Sequence, residues 1–261
     1  MRAAALALTL VILSLSSPAL GQPAPPTDAE MVAMLKVIDE RSGSTGDYKA
    51  MVFIEQKEKG KDDMLYEAVV YRRDASDQLM ILILRPKAEA GKGYLRIDKN
   101  LFMYDPAVGK WDRRTERERI AGTNSRRQDF DERRLAEEYK PKFVGHEKLG
   151  AFEVVHLELT AVPGADVAYP LMQFWIDRAT GNPLKSQEFA VSGKLMRTSY
   201  LPKWGKVKNA KTGFELYYPI EQRVFDEVEK GTSTSIAIRE IDLTELSANM
   251  FTKAWLEAKS R

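Results

Sequence analysis

The sequence contains no cysteine, only two histidines among 261 residues, and almost no net charge, with 40 basic residues against 38 acidic ones. The absence of cysteine excludes disulfide-stapled scaffolds, thiol catalysis and thiolate metal sites. It also excludes the lipid anchor of bacterial lipoproteins, which is carried by a cysteine just after the signal sequence. The balanced charge gives no reason to expect nucleic acid as a partner. A chain of this length, 44% hydrophobic, is expected to fold around one core.

The first 21 residues have the features of a secretory signal peptide. Arg2 is followed by an uncharged apolar run from Ala3 to Leu15, and small residues occupy the cleavage site at Ala19-Leu20-Gly21. This run is shorter than the roughly 20 residues that a membrane-spanning helix needs. We therefore predict a cleaved signal peptide at 1–21, a flexible leader at 22–26 and a single domain at 27–261. We expect a soluble, periplasmic protein without a lipid anchor.

Two amphipathic helices are predicted to flank a β-rich region. A capping box at Thr27 to Glu30, followed by apolar residues at helical spacing, predicts a helix over 28–41. A second helix is predicted over 249–259, with Phe251 and Trp255 on its apolar side. Between them, period-two patterning with short connections predicts about eleven antiparallel strands. These are 48–57, 64–73, 78–85, 93–98, 101–104, 152–159, 171–177, 183–190, 194–201, 214–225 and 233–241.

The segment 113–142 interrupts the strands and is densely charged, with sparse apolar residues at Ile120, Phe130, Leu135 and Tyr139. One interpretation is a set of helical turns that cover an opening in the sheet, with Asp129 or Asp131 capping the helix that contains Leu135. The alternative is a solvated loop. The covering elements, or lid, would then present Ile120, Phe130, Leu135, Phe251 and Trp255.

Several strands are apolar on both faces. In the third, Met80 and Leu82 alternate with Leu79, Ile81 and Ile83, whereas a sheet with one wet face alternates apolar with polar residues. Two helices cannot cover both faces of a flat sheet, so the pattern favours a strongly curved sheet whose concave face encloses an apolar cavity. The alternative is an irregular core filled by methionines. Candidate cavity-lining, lipid-binding residues are Met51, Phe53, Met80, Leu82, Phe102, Tyr104, Met172, Phe174 and Trp175.

Five segments resemble the outer-membrane lipoprotein-sorting protein family, the LolA-like branch of the lipoprotein carrier superfamily. They are Gly91-Lys92-Gly93-Tyr94-Leu95-Arg96-Ile97-Asp98, Leu101-Phe102-Met103-Tyr104-Asp105-Pro106, Gly122-Thr123-Asn124-Ser125-Arg126-Arg127-Gln128-Asp129-Phe130, Phe174-Trp175-Ile176-Asp177-Arg178 and Gly181-Asn182-Pro183. The resemblance covers essentially the whole mature chain and implies a mainly β (α+β) fold: an unclosed antiparallel barrel of about eleven strands, with helices covering an apolar concave face. It is closer to an uncharacterised branch than to the well-studied carrier, whose cavity arginine has no assigned counterpart here.

Catalytic motifs are scarce. His146 and His156 lack metal-ligand spacing and are interpreted as structural, and there is no nucleophile elbow or phosphate loop. Glu240 and Asp242 are interpreted as a charged strand edge rather than a carboxylate pair. We therefore expect no enzyme, no metal and no cofactor. A lipid hydrolase using one of the histidines is the third hypothesis.

The first hypothesis is a monomeric carrier that binds the acyl chains of lipoproteins or lipids and delivers them toward the outer membrane. Its partners would be an acylated lipoprotein or lipid, with an inner-membrane transporter and an outer-membrane acceptor. Basic residues at the cavity rim would contact an acidic head group or a partner protein, or would be ordinary paired surface charges. These are Arg72, Arg85, Arg126 and Arg127. The second hypothesis is an interaction module that docks on an ABC or RND type transporter, with its cavity filled by its own side chains.

Overall fold

A computed structural model of the chain describes residues 23–42, 46–97, 100–114, 119–125, 129 and 133–260. The predicted signal peptide at 1–21 lies outside these residues. So do Arg126, Arg127 and Phe130, which were assigned to the rim and the lid.

The first helix, α1 (Asp28–Ser42), begins at the predicted capping box. The Thr27 amide donates to Glu30 Oε2 at 2.7 Å, and the Glu30 amide donates to Thr27 Oγ1 at 3.3 Å. Its buried side chains recur at helical spacing, at Met31, Leu35 and Ile38. This helix is therefore confirmed to within one residue. No helix in the described part of the chain is long and apolar enough to cross a membrane.

Thirteen strands among the described residues form one antiparallel sheet, which confirms the mainly β class. The first six are β1 (Asp47–Lys57), β2 (Met64–Arg73), β3 (Gln78–Arg85), β4 (Gly93–Ile97), β5 (Asn100–Asp105) and β6 (Lys110–Arg114). The other seven are β7 (Tyr139–Leu149), β8 (Phe152–Ala161), β9 (Leu171–Asp177), β10 (Pro183–Phe189), β11 (Leu195–Lys208), β12 (Glu215–Asp226) and β13 (Ser233–Asp242). The order from edge to edge is β6-β5-β4-β3-β2-β1-β13-β12-β11-β10-β9-β8-β7.

The predicted count of eleven strands is wrong because both edge strands were missed. β6 has the sequence KWDRR, and β7 begins YKPKF, so each resembles the charged segment between them. Charge on an edge strand discourages pairing with other chains, and it removes the apolar alternation by which a strand is recognised. The segment 113–142 therefore contains the end of β6 and the start of β7 as well as the crossing between them.

The strand order dictates where this crossing runs. The chain builds the sheet outward from β1 to the edge at β6, then resumes at the opposite edge with β7 and returns to β13 beside β1. The connection must pass from one edge of the sheet to the other. Its described parts are a 3₁₀ turn at Ile120–Gly122 and the one-turn helix α2 (Leu135–Glu138). We call its described residues, 119–125, 129 and 133–138, the crossing segment.

The sheet is strongly curved. Ile83 on β3 and Leu201 on β11 are five strand spacings apart, or about 24 Å along a flat sheet. Both nevertheless line the same internal cavity. Register shifts that bend the sheet occur between β1 and β13, between β2 and β3, between β10 and β11, and between β11 and β12. α1 packs inside the curve, against β7, β8 and β9.

The C-terminal helix α3 (Lys253–Lys259) packs on the opposite, outer face. Phe251 and Leu256 form a cluster with Met80, Leu82 and Leu95, and Trp255 contacts Tyr71 edge to face at 5.5 Å. Placing Phe251 and Trp255 in a lid over the concave face is therefore wrong. The position of α3 also explains why β3 is apolar on both faces: one faces the interior of the curve, and α3 covers the other.

Candidate functional site

The candidate site is a cavity of about 250 Å³ enclosed by the concave face, α1 and the crossing segment. Its wall is mainly aliphatic, which makes it suited to an apolar ligand. The aliphatic lining residues are Ile38, Ala50, Val52, Ile54, Ala68, Val70, Ile81, Ile83, Ile120, Ala121, Leu201, Leu216, Ile236, Ile238 and Ile241.

On each of β1, β2 and β3, the residues that line the cavity are alternate residues, whose side chains lie on the same face of the sheet. Val52 pairs with Ala68, which pairs with Ile83, and all three face the cavity. The alternating positions Met51, Phe53, Met80 and Leu82, which the sequence analysis selected, lie on the outer face. The selected residues therefore do not line the cavity, and the residues that do are their neighbours in sequence. The physical reason is that both faces are apolar, so alternation identifies two faces without saying which one is concave.

The other selected lining residues also lie away from the cavity. Phe102 and Tyr104 share the outer face with Leu95, next to α3. Trp175 lies on the outer face, where it stacks on His156 with ring centroids 4.1 Å apart. Met172 and Phe174 lie on the concave side, but they pack into the core beneath α1. They form the floor under that helix and do not line the cavity.

The crossing segment covers the concave face through specific bonds. Ile120, a predicted lid residue, is buried with Tyr66, Ile81 and Ile83. The Ala121 amide donates to Tyr94 Oη at 2.8 Å, with Ala121 in the left-handed region at φ 51°. The Asn124 amide donates to Thr234 Oγ1 at 2.7 Å. This part of the lid is therefore bonded to both halves of the sheet, through β4 and through β13.

The strongest attachment is a buried ion network at Arg197 on β11. Its guanidinium donates to both carboxylate oxygens of Glu188, at 2.6 and 2.8 Å, and to both of Asp129, at 2.8 and 2.6 Å. Burial opposes the charge of Arg197, but the two carboxylates raise its pKa well above its usual value. Asp129 belongs to the crossing segment, so this network ties the lid to the sheet.

Arg197 was not predicted as a site residue, although its pairing with Glu188 could have been recognised in the sequence. Glu188 and Arg197 face one another across the β10–β11 hairpin, an opposite-charge pair at positions that would otherwise be apolar. Asp129 lies 68 residues away in sequence, and no local pattern connects it to the pair.

The first amides of α2 are bonded by a side chain of α1. Both Asp39 carboxylate oxygens on α1 accept backbone amides, from Leu135 and from Ala136, each at 2.9 Å. Burial raises the pKa of Asp39, although these two donors oppose the shift. The predicted cap at Asp129 is wrong, because that residue bonds Arg197, and Asp131 lies outside the described residues. Leu135 itself is buried against α1.

The two described rim arginines lie on different sides of the sheet. Arg72 is only 8% exposed and contributes to the cavity wall. Arg85 lies on the outer face, its side chain 73% exposed and its Nε 3.3 Å from Glu67 Oε2. It lines an open groove of about 950 Å³ with Phe53 and Leu65. This groove is larger than the cavity, but it is open to solvent, and it does not enclose a ligand.

Neither histidine is among the residues that line the cavity. His156 Nδ1 lies 2.6 Å from Glu147 Oε1, and Trp175 Nε1 donates to Glu147 Oε2 at 2.8 Å. Burial raises the pKa of Glu147, but these two hydrogen bonds outweigh it, so the net shift is downward. His146 Nε2 lies 3.2 Å from the Ala24 carbonyl oxygen, beside the leader. The arrangement brings no imidazole to a nucleophile within the cavity.

Solved structures define the class of fold. A LolA superfamily protein from Nitrosomonas europaea matches with a TM-score of 0.66 and 20% identity, over 88% of this chain and 100% of that one. A DUF1329 family protein from Desulfovibrio piger matches with a TM-score of 0.74 and 18% identity, over 88% and 100%. A candidate outer membrane lipoprotein-sorting protein domain from Vibrio parahaemolyticus matches with a TM-score of 0.69 and 18% identity, over 88% and 99%. The fold is LolA-like, as the resemblance implied.

A family model identifies the family more directly. The model is described as an uncharacterized protein, and it matches residues 75–258. Because this match spans more than half of the chain, the protein belongs to that family. No curated protein matches the chain.

Proposed function

We propose that the protein is an exported, soluble periplasmic carrier that binds acyl chains of lipoproteins or lipids in the cavity and delivers them toward the outer membrane. The observation that carries the proposal is the aliphatic wall on the concave face, beneath a cover that is bonded to the sheet. A LolA-like fold, shared with a candidate lipoprotein-sorting domain, supports it.

The energetics explain why such a cavity is useful. An alkyl methylene left in water costs about 0.8 kcal/mol, so a chain of about sixteen carbons represents on the order of 12 kcal/mol that a soluble carrier must shield. An apolar wall that the crossing segment covers on one side would provide this shielding. The cavity volume of about 250 Å³ lies just below the range of about 300–1,000 Å³ that is common for small-molecule sites. It therefore suits one chain in the closed form, and larger cargo requires the cover to move.

Filling the cavity tests the proposal. Ala68 is fully buried at the centre of the lining, and leucine at this position extends into the space that the chain would occupy. We expect Ala68→Leu to weaken binding of a fluorescent fatty acid by about tenfold or more, because overpacking a site commonly costs about 1–3 kcal/mol.

The matched control is Ala237→Leu, which makes the same change on the outer face. It should leave the dissociation constant unchanged, and thermal unfolding should show that both variants are folded. Equal loss of binding in the two variants would contradict carriage in this cavity. So would a wild-type protein that binds neither fatty acids nor lipopeptides.

A second candidate function, docking on an envelope transporter, is favoured by the outer groove. Phe53 and Leu65 are 41% and 64% exposed there, and adjacent exposed apolar side chains commonly mark interaction surfaces. Cross-linking in cells through a photoreactive residue in place of Leu65 separates the two candidates. Capture of a membrane permease alone, never of a lipoprotein, favours docking.

A further inference from the structure

The cavity wall has a neutral polar side where the crossing segment covers it. Ser125 of the crossing segment and Gln222 of β12 both line the cavity. Gln222 pairs with Ile236 on β13. The Asn124 backbone amide donates to Thr234, which lies two residues, or about 7 Å, from Ile236 along that strand. Ser125 and Gln222 therefore lie on the same side of the cavity.

Within the described residues, these two side chains lack the hydrogen-bond partners that their neighbour Thr123 has. Thr123 Oγ1 donates to the Ile120 carbonyl oxygen at 2.7 Å and accepts the Ser125 backbone amide at 3.2 Å. By contrast, no described residue forms a hydrogen bond with the side-chain amide of Gln222 or with the Ser125 hydroxyl. A carboxamide and a hydroxyl can each donate and accept hydrogen bonds. Both groups are thus available to a ligand in the cavity.

The buried ion network on the same side does not favour an anionic ligand. Arg197 Nη1 lies 3.4 Å from the Asn124 carbonyl oxygen, so its guanidinium is beside the crossing segment. This guanidinium already donates to both oxygens of Glu188 and to both of Asp129. Asp129 itself lines the cavity and presents a carboxylate there. A neutral polar group therefore fits this side of the cavity better than a buried anion does.

We propose, resting on the proposed function, that the cavity selects acyl chains in ester or amide linkage over free fatty acids, with the linkage carbonyl at Gln222 and Ser125. Each of these side chains can donate a hydrogen bond to a carbonyl oxygen, and each can accept one from an amide N–H. The alkyl chain then lies against the aliphatic wall. Esters and amides share the carbonyl acceptor, and the amide alone adds a donor.

Four ligands of similar length test this assignment on the full-length mature protein. They are methyl dodecanoate, N-methyldodecanamide, dodecanoate and tetradecane, each used at pH 8 to displace a fluorescent alkyl probe. We expect the ester and the amide to bind about tenfold more tightly than dodecanoate, because this side of the cavity would bury the carboxylate without a free cation beside it. Dodecanoate that binds as tightly as the ester, or more tightly, overturns the linkage assignment alone. Failure of the probe and of all four ligands to bind contradicts the proposed function and this inference with it.

The variants locate the preference. Gln222→Leu should weaken binding of the ester and the amide by about tenfold and should not weaken binding of tetradecane, because tetradecane has no hydrogen bond to lose. Ser125→Ala should act in the same direction. The larger of the two losses, for the ester or for the amide, identifies the linkage that the site recognises.

The matched control is Gln173→Leu, which makes the same change on β9 at a residue that does not line the cavity. It should leave the dissociation constants of all four ligands unchanged. Equal weakening of tetradecane and the ester by Gln222→Leu would show a change in packing alone and would overturn the assignment.

Discussion

Replacing Arg197 with methionine is expected to lower the free energy of unfolding by about 3–5 kcal/mol, because it leaves two carboxylates buried without their shared partner. Glu188 and Arg197 are each 8% exposed in their side chains, and Asp129 is 20% exposed, so solvent cannot replace the lost bonds. Urea unfolding at pH 7, followed by tryptophan fluorescence, measures the change. The same variant should speed amide hydrogen exchange in residues 119–125, since Asp129 no longer holds the crossing segment to β11.

Two controls separate the buried network from a general effect of charge. Adding Glu188→Gln and Asp129→Asn to Arg197→Met should recover much of the stability, because no ion is then buried. Arg223→Met, which breaks an exposed pair with Glu221, should cost about 1 kcal/mol or less. A loss from Arg197→Met no larger than that of Arg223→Met would contradict the network's role.

Locking the crossing segment to the sheet is expected to slow ligand uptake by at least about tenfold, because a closed cover blocks the cavity. Asn124→Cys with Thr234→Cys introduces a cysteine on each side of the contact in which the Asn124 backbone amide donates to Thr234 Oγ1 at 2.7 Å. The chain has no other cysteine, so the introduced pair is the one disulfide that can form. Stopped-flow binding of a fluorescent fatty acid, before and after oxidation, measures the effect.

Reduction of the disulfide should restore the wild-type rate, and each single-cysteine variant should bind as the wild type does. Hydrogen exchange adds an independent reading. Residues 119–125 should exchange quickly in the free protein and become protected when lipid is added, whereas β3 stays protected throughout. Unhindered loading of the oxidised double variant would show that the ligand enters by another route.

The sequence predicted the class of fold because its evidence was local. Thr27 and Glu30 define the start of α1, and the doubly apolar pattern of Met80 and Ile81 indicates a sheet that is covered on both faces. The same pattern could not say which face was concave. That depends on where α3 packs, and α3 contacts Met80 and Leu82 from more than 150 residues away in sequence.

The site was less predictable than the fold for a related reason. The cover is positioned by single long-range bonds, such as those of Arg197 to Asp129 and of Asp39 to Leu135. Neither bond produces a periodic pattern in the sequence. Arg72 was recognised as a candidate contact, but its location within the wall follows from its pairing with Tyr48 and from the curvature of the sheet.

The most direct test of the account is to map where a bound acyl chain lies. Hexadecanoate carrying a diazirine at its far end is bound, irradiated and located by tandem mass spectrometry of the adducts. We predict labelling on the concave face, at Val52, Ala68 and Ile83, which line the cavity and not the outer groove. Labelling of Phe53 and Leu65 would place the chain in the outer groove and contradict the account, and the alternation along β1 makes the two outcomes distinguishable on neighbouring residues of a single peptide.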